Sequence, residues 1–121
     1  MRAKISEIMS TTVILAKPSH TIRNVRELIE RHRIHAVPVV DSSSDKIVRG
    51  IIANADLARF SSDETPVERA MSDDVKTLSA DTEASEAARL MRTHKIHHLV
   101  ITDQDRVIGI VSSLDLLSLL E

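Results

Sequence analysis

Apolar side chains recur along this chain with two kinds of spacing. Helical spacing over 22–29 and 84–91 predicts two amphipathic helices, and Thr21 is a suitable N-cap for the first of them. Short apolar runs predict four strands, at 37–40, 47–52, 99–102 and 107–111. Because these helices and strands alternate, the chain is expected to be of the α/β (α+β) class.

The whole pattern occurs twice along the chain as a sequence repeat. Matching blocks stand at 8–10 and 70–72, at 33–35 and 95–97, and at 50–57 and 109–116. Each copy opens with a short helix-like start and an extended piece, 13–15 or 75–78, and closes with a helix that we predict to be N-capped by Asn54 or Ser113. The predicted order is therefore β-α-β-β-α, repeated.

The break between the copies is a polar stretch at 61–65, followed by Pro66 at a predicted helix start. The predicted copies are 1–62 and 63–121. A unit of about 60 residues buries too little surface to be stable by itself. We therefore expect the two copies to pack about a pseudo-twofold axis and to behave as one domain, 1–121.

The amino-acid composition argues against several classes of function. The 16 Lys and Arg residues nearly balance the 18 Asp and Glu residues, and Phe60 is the only aromatic residue, so neither nucleic-acid binding nor attraction to an anionic membrane is expected. The chain has no Cys, which excludes disulfides and thiolate chemistry and suits a cytoplasmic address. No apolar run approaches the roughly 18 residues of a membrane span.

Four blocks carry a resemblance to a known family. They are 34–41 (Ile-His-Ala-Val-Pro-Val-Val-Asp), 96–103 (Ile-His-His-Leu-Val-Ile-Thr-Asp), and the two segments that run from a Gly to an Asp-Leu pair, 50–57 and 109–116. In this order the blocks resemble a tandem pair of CBS motifs, the Bateman module. The resemblance implies a regulatory module without a catalytic centre or catalytic cofactor. It also implies a cleft ligand such as AMP, ADP, ATP or S-adenosylmethionine.

The chemistry of the Gly-to-Asp segments can be argued from the residues. Asp56 and Asp115 each fall in the first turn of a helix that directly follows a strand, where a carboxylate can accept hydrogen bonds from the two hydroxyls of a ribose. Ser112 precedes Asp115 by three residues, near the helix amides that favour a phosphate. The matching residue in the first copy is Ala53, which has no hydroxyl, so that site is expected to be weaker.

The resemblance further implies two clefts, each with its Asp from one copy and its apolar wall from the other. The main cleft would use Val13, Ile14, His35, Ala36, Pro38, Ser112 and Asp115. The second, weaker cleft would use Asp56, Val75, Lys76, His97 and His98. His35 and His97 are the residues expected nearest the ligand phosphates.

Other readings of the same residues stay open. In the alternative interpretation, the basic residues around His35 and His97 only complement helix C-termini, and each first-turn Asp only complements the helix dipole. His94, His97 and His98 have the spacing of a helical metal site, but no carboxylate accompanies them, so no metal is expected. A catalytic pair of Asp56 and Asp115 lacks a nucleophile or a metal.

Residues 113–120 are too apolar for a helix with one solvated face. Together with 55–60 they predict a homodimer surface, with burial inside the domain as the alternative. The chain is thus expected to be a stand-alone sensor of adenine nucleotides that acts on an unidentified effector protein. The alternatives are a structural dimerisation module with degenerate clefts, or a sensor of S-adenosylmethionine or NAD.

Overall fold

The computed structural model describes residues 2–120, so Met1 and Glu121 at the two ends of the predicted domain lie outside the described part. The chain divides into two compact units. One is the contiguous segment 14–75, called here the continuous unit. The other combines 2–13 with 76–120 and is called the split unit. The first segment of the chain therefore packs with the second copy of the repeat.

The continuous unit contains α1 (Ile22–His32), β1 (Ala36–Val40), β2 (Val48–Ala53), α2 (Asn54–Leu57) and α3 (Val67–Ala70). Strands β1 and β2 form an antiparallel pair, and Ala16 forms a parallel bridge to Val39. Ile22, Val25 and Ile29 are buried on one face of α1, as the helical spacing predicts. They form a core with residues of both strands.

Thr21 caps α1 as predicted. Its hydroxyl accepts a hydrogen bond from the amide of Asn24 at 3.3 Å, and Asn24 Oδ1 accepts one from the Thr21 amide at 2.9 Å. The amides of Ile22 and Arg23 donate to carbonyls of Thr65 and Asp63, at 2.9 and 3.1 Å. The polar stretch 61–65 is thus bound to the start of α1, where it satisfies helix amides that would otherwise lack a partner.

The split unit contains β3 (Thr77–Leu78), α4 (Ala84–His94), β4 (His98–Asp103), β5 (Arg106–Ser112) and α5 (Ser113–Leu117). Its sheet has the order β3-β4-β5, parallel between β3 and β4 and antiparallel between β4 and β5. The core includes Ala84, Ala87 and Met91 from α4, together with the fully buried Ile5 from the first segment.

The first segment repeats the role of 63–72 in the other unit. Ala84 donates its amide to the Ala3 carbonyl at 2.8 Å, so the start of α4 is satisfied by a residue far away in the chain. Ile5 begins a short 3-10 turn, Ile5–Glu7, that matches α3. In both units, therefore, the opening segment of one copy packs on the helix and strands of the other.

Most of the predicted elements are confirmed, with two corrections: residues 13–15 form no strand, and the last helices begin one residue earlier than predicted. The last helices begin at Asn54 and Ser113 themselves, so the N-caps are Ala53 and Ser112, and the predicted caps were wrong by one residue. Burial does not account for the whole apolar C-terminal stretch: Leu116 is buried, but Leu114, Leu117 and Leu120 are exposed. No helix within residues 2–120 has the length and hydrophobicity to cross a membrane.

Candidate functional site

Ser112 and Asp115 bind each other at the end of β5. The Ser112 hydroxyl accepts a hydrogen bond from the Asp115 amide at 3.2 Å, and the Ser112 amide donates to Asp115 Oδ2 at 2.8 Å. This reciprocal capping fixes the carboxylate relative to the strand. Among residues 2–120, Asp115 Oδ1 has no partner. Ser112 uses its oxygen as an acceptor and so keeps its proton for a further partner.

The first copy has the same strand-to-helix turn but different partners. The Ala53 amide donates to Asp56 Oδ2 at 2.8 Å, while Arg59 Nη2 donates to Asp56 Oδ1 at 3.0 Å. Both carboxylate oxygens of Asp56 therefore already accept a hydrogen bond, and Ala53 supplies no hydroxyl. The position that matches Arg59 is Ser118, which donates instead to the Asp115 carbonyl at 2.5 Å. Only Asp115 thus presents a fixed carboxylate with a free oxygen.

A histidine lies beside the start of each last helix. In the split unit the Ser113 amide donates to the His97 carbonyl at 2.9 Å, and Ser113 Oγ lies 3.5 Å from His97 Nδ1. In the continuous unit the Asn54 amide donates to the His35 carbonyl at 3.2 Å, and Asn54 Nδ2 lies 3.5 Å from His35 Nδ1. Both side-chain contacts are long, and both imidazoles are exposed.

Two of the predicted histidines lie beside the Ser112–Asp115 turn within the split unit. His98 stands opposite Ser112 in the β4–β5 register, so His97 and His98 both adjoin the Ser112–Asp115 turn. The resemblance had grouped these histidines with Asp56. Ser113 and Arg59 were not predicted as site residues. The sequence did show that Arg59 and Ser118 occupy the same position of the repeat, so a difference between the two turns could have been predicted there.

The remaining predicted residues are divided between the two units. Ile14, His35, Ala36, Pro38, Asp56 and Val75 belong to the continuous unit, and Val13, Lys76, His97, His98, Ser112 and Asp115 belong to the split unit. Ala36 and Pro38 are buried in β1, while Val13, Ile14 and Val75 are half-buried. Lys76 accepts a hydrogen bond from the Val100 amide at its carbonyl, at 3.3 Å. The groupings that combine both units stay predictions.

The start of α5 offers fewer free amides than the sequence suggests. The amide of Ser113 donates to His97 and that of Asp115 donates to Ser112. A phosphate near this turn would therefore depend on side-chain donors, the Ser112 hydroxyl and the His97 imidazole, more than on the helix dipole.

The helical metal site considered for the second copy does not form. Helix α4 ends at His94, and Lys95 takes a left-handed conformation with φ 55°, so His97 and His98 do not continue the helix. Within residues 2–120 no cluster of three His, Asp or Glu side chains is placed to hold a metal ion.

A family comparison accounts for both copies. The CBS domain model matches residues 5–63 and again 67–121. The chain belongs to the CBS domain family. Its two matches make it a CBS pair, and each contains one of the strand-to-helix turns described above.

Proteins similar in sequence to this CBS pair include short and long chains. An uncharacterized 17.7 kDa protein of Acidianus ambivalens is 33% identical over 120 residues, which is 96% of this chain and 72% of that protein. The CBS domain-containing protein YhcV of Bacillus subtilis is 29% identical, over 94% of this chain and 83% of that one. Inosine-5′-monophosphate dehydrogenase of Methanocaldococcus jannaschii is 32% identical over only 23% of the enzyme.

Solved structures give the same picture. A putative acetoin utilization protein of Vibrio cholerae has a TM-score of 0.87 and 28% identity, over 99% of this chain and 91% of that one. The CBS domain pair of protein MJ0100, solved with 5′-methylthioadenosine and S-adenosyl-L-methionine, has a TM-score of 0.90 and 27% identity. The superposition covers 98% of this chain and 100% of that chain. The chain thus has the fold of a CBS pair.

Proposed function

We propose that this CBS pair is a regulatory module that binds an adenosine-containing small molecule, with Asp115 as the ribose-binding carboxylate. The main observation in favour of the proposal is the hydrogen bonding of the Asp115 carboxylate. One of its oxygens is held by the Ser112 amide, and the other has no partner among the described residues. A fixed acceptor of this kind suits the vicinal hydroxyls of a ribose.

The residues around Asp115 supply the polar part of the proposed site. The Ser112 hydroxyl has a proton to donate, and the exposed His97 imidazole lies beside the same turn. Both can serve a phosphate or another polar group attached to the ribose. Val13, Ile14, Ala36 and Pro38 remain the residues predicted to face the adenine, and His35 remains the residue of this cleft predicted to lie nearest the ligand phosphates.

Adenine nucleotides, namely AMP, ADP and ATP, are the proposed ligands. S-adenosylmethionine and 5′-methylthioadenosine are the second candidate class, since the CBS pair of protein MJ0100 was solved with both compounds. The two classes share the ribose and the adenine and differ beyond the 5′ carbon. Ser112 and His97 should therefore matter more for a nucleotide than for 5′-methylthioadenosine, which has no phosphate.

The second proposed site, around Asp56, is the weaker one. The resemblance assigns it Val75, Lys76, His97 and His98, and of these His97 also lies beside the Ser112–Asp115 turn. Arg59 occupies the Asp56 oxygen that would face a ribose, and Ala53 has no hydroxyl. A ribose hydroxyl would therefore have to compete with Arg59 for this oxygen or share it. Loss of ligand binding at both positions would leave a structural dimerisation module, which is the main rival.

Regulation requires that the ligand bind one state of the protein more tightly than another. In this proposal the bound nucleotide is not consumed, and the change passes to an effector protein or to a second copy of the chain. The similarity to inosine-5′-monophosphate dehydrogenase is no reason to assign dehydrogenase activity to this chain, because the match covers only 23% of that enzyme.

A ligand panel tests the proposal. Thermal unfolding would be followed with AMP, ADP, ATP, NAD, S-adenosylmethionine and 5′-methylthioadenosine, with inosine and free phosphate as controls. A ligand present at a hundred times its dissociation constant adds about 2.7 kcal/mol to the free energy of unfolding. We expect a clear increase in Tm with at least one adenosine compound and recovery of that compound unchanged. No increase with any of them would favour the structural rival.

A further inference from the structure

Two methionines occupy the same place in the two units, and the proposed function uses neither. Met9 lies against Gly109 of β5 in the split unit, and Met71 lies against Gly50 of β2 in the continuous unit. A Cβ atom built on either glycine would stand 2.6 Å from the methionine sulfur. Each sulfur therefore fills the space that a side chain on the strand would take.

The residue after each methionine is bonded to the same strand. Ser10 and Ile110 exchange backbone hydrogen bonds of 2.9 and 3.0 Å, and Ser72 and Ile51 exchange two of 2.9 Å. We call each arrangement a clamp: Met9-Ser10 on Gly109-Ile110, and Met71-Ser72 on Gly50-Ile51. The clamps fasten the opening segments of the copies to the strands that lead into α5 and α2.

The sulfur chemistry of this chain is confined to thioethers. The sequence has four Met and no Cys. Met9 and Met71 are half-buried, whereas Met91 is 6% exposed in the core of the split unit. Since oxidation of sulfur follows exposure, a dissolved peroxide should reach the clamp methionines before Met91.

We propose that Met9 and Met71 are oxidation sites whose sulfoxides open the clamps. The thioether sulfur donates an electron pair to the protonated oxygen of a peroxide, the O–O bond breaks and an S–O bond forms. The proton of that oxygen passes to the other oxygen, which leaves as water or an alcohol. Sulfur is oxidised by two electrons and the peroxide is reduced. A methionine sulfoxide reductase with a thiol reductant reverses the step.

The geometry explains why the sulfoxide opens the clamp. The sulfur lies directly against strand backbone at Gly109 and Gly50, so an added oxygen has little room on that side. The oxygen is also a strong hydrogen-bond acceptor and is costly to bury without a donor. The oxidised side chain is therefore expected to turn toward water, which removes its packing from the neighbouring Ser10–Ile110 and Ser72–Ile51 bonds.

Peptide mapping by mass spectrometry, combined with amide hydrogen exchange, tests this inference without any nucleotide. The folded protein would be treated with increasing hydrogen peroxide. We expect Met9 and Met71 to be oxidised at lower doses than Met91, and the amides of Ser10, Ile110, Ile51 and Ser72 to exchange roughly tenfold faster or more after oxidation.

Variants that resist oxidation separate the two clamps. Met9→Leu keeps an apolar side chain of similar volume and cannot form a sulfoxide. Under peroxide it should retain protection at Ser10 and Ile110 while the Met71 clamp opens, and Met71→Leu should show the reverse. Met91→Leu, the control, should protect neither clamp. Oxidation of Met9 and Met71 no faster than Met91, or unchanged exchange after oxidation, would overturn the inference.

Discussion

At the scale of single residues, one hydroxyl and one guanidinium account for the different hydrogen bonding of Asp115 and Asp56. Ser112 caps α5 through its side chain, but Ala53 caps α2 through its backbone alone. Arg59 binds Asp56, while Ser118 leaves the carboxylate of Asp115 untouched. Two otherwise matching turns thus present a free carboxylate oxygen in one copy and an occupied one in the other.

The hydroxyl of Ser112 should also contribute to stability. Removal of an N-cap side chain typically costs about 1 kcal/mol, so Ser112→Ala should lower the free energy of unfolding by about that amount. The matched change Ala53→Ser should raise it by a similar amount, because the Asp56 amide would gain an acceptor. Urea unfolding of both variants measures this. A loss on Ser112→Ala without a gain on Ala53→Ser would show that the two turns are not equivalent.

The Gly-to-Asp segments, with Ser112 and Asp115, could be found from the sequence because their chemistry is local. The hydrogen bond from Arg59 to Asp56 could not be predicted from the sequence, since it depends on which rotamer Arg59 adopts. The pairing of Ser113 with His97 joins residues 16 apart in the chain and requires the β4–β5 hairpin to be folded.

At the scale of elements, the two long helices end in the same way. Arg33 and Lys95 both take the left-handed conformation, with φ 54° and 55°, where glycine is usual. The amides that follow, of Ile34 and Ile96, donate back to Ile29 and Met91 at 3.2 and 3.0 Å. The helix ends are therefore satisfied, but each has a Cβ atom in a conformation that L-residues disfavour.

Glycine at this position should relieve the strain. Lys95→Gly should be more stable than Lys95→Ala by about 1 kcal/mol, because both lose the basic side chain and only the first loses Cβ. Comparison with alanine also removes the effect of the lysine charge on the helix dipole. Thermal unfolding of the two variants decides the point, and equal stability would show that the left-handed conformation costs little here.

The turn before α4 carries a further, pH-dependent contact. The Ser79 hydroxyl donates to Asp81 Oδ1 at 2.6 Å, and this hydrogen bond lowers the pKa of Asp81. A lowered pKa favours the folded state above the unfolded pKa of Asp81, and that contribution is lost as the pH falls through the folded value. NMR titration should show the pKa of Asp81 rising in Ser79→Ala. An unchanged midpoint would contradict the assigned cause.

The spacing of apolar residues predicted both long helices and all four main strands to within a few residues. The final helices were placed one residue late because Asn54 and Ser113 are good caps by composition, whereas the chain uses the residue before each. The opening strand of each copy was predicted from the extended pieces at 13–15 and 75–78. The second piece contains β3, whereas 13–15 form no strand, since so short an apolar piece cannot display a period.

At the scale of the whole chain, the opening segments are exchanged between the copies. Residues 2–13 join 76–120, and 63–75 join the rest of the continuous unit. The sequence repeat predicts the copies 1–62 and 63–121. It does not predict this exchange, because similarity between two segments does not show which segments are in contact. The expectation that both units behave as one domain stays a prediction.

Among the described residues, three of the four exposed large apolar side chains lie on the C-terminal face of the split unit. Leu114, Leu117 and Leu120 are exposed at 66%, 56% and 73%. We expect this face to pair two copies, so Leu117→Glu should shift the protein toward monomer in analytical ultracentrifugation. Ser43→Glu, in an exposed loop of the continuous unit, is the control and should leave the mass unchanged. A wild-type protein that is already monomeric would contradict the expectation.

The central claim is that Asp115, and not Asp56, carries the main ligand site. Isothermal titration calorimetry would use whichever adenosine compound stabilises the wild type, with Asp115→Ala and Asp56→Ala as the matched variants. The account predicts a loss of affinity of roughly tenfold or more for Asp115→Ala, since a charged hydrogen bond contributes about 1.5–3 kcal/mol. It predicts a smaller loss for Asp56→Ala. Equal losses, or a larger loss at Asp56, would contradict it.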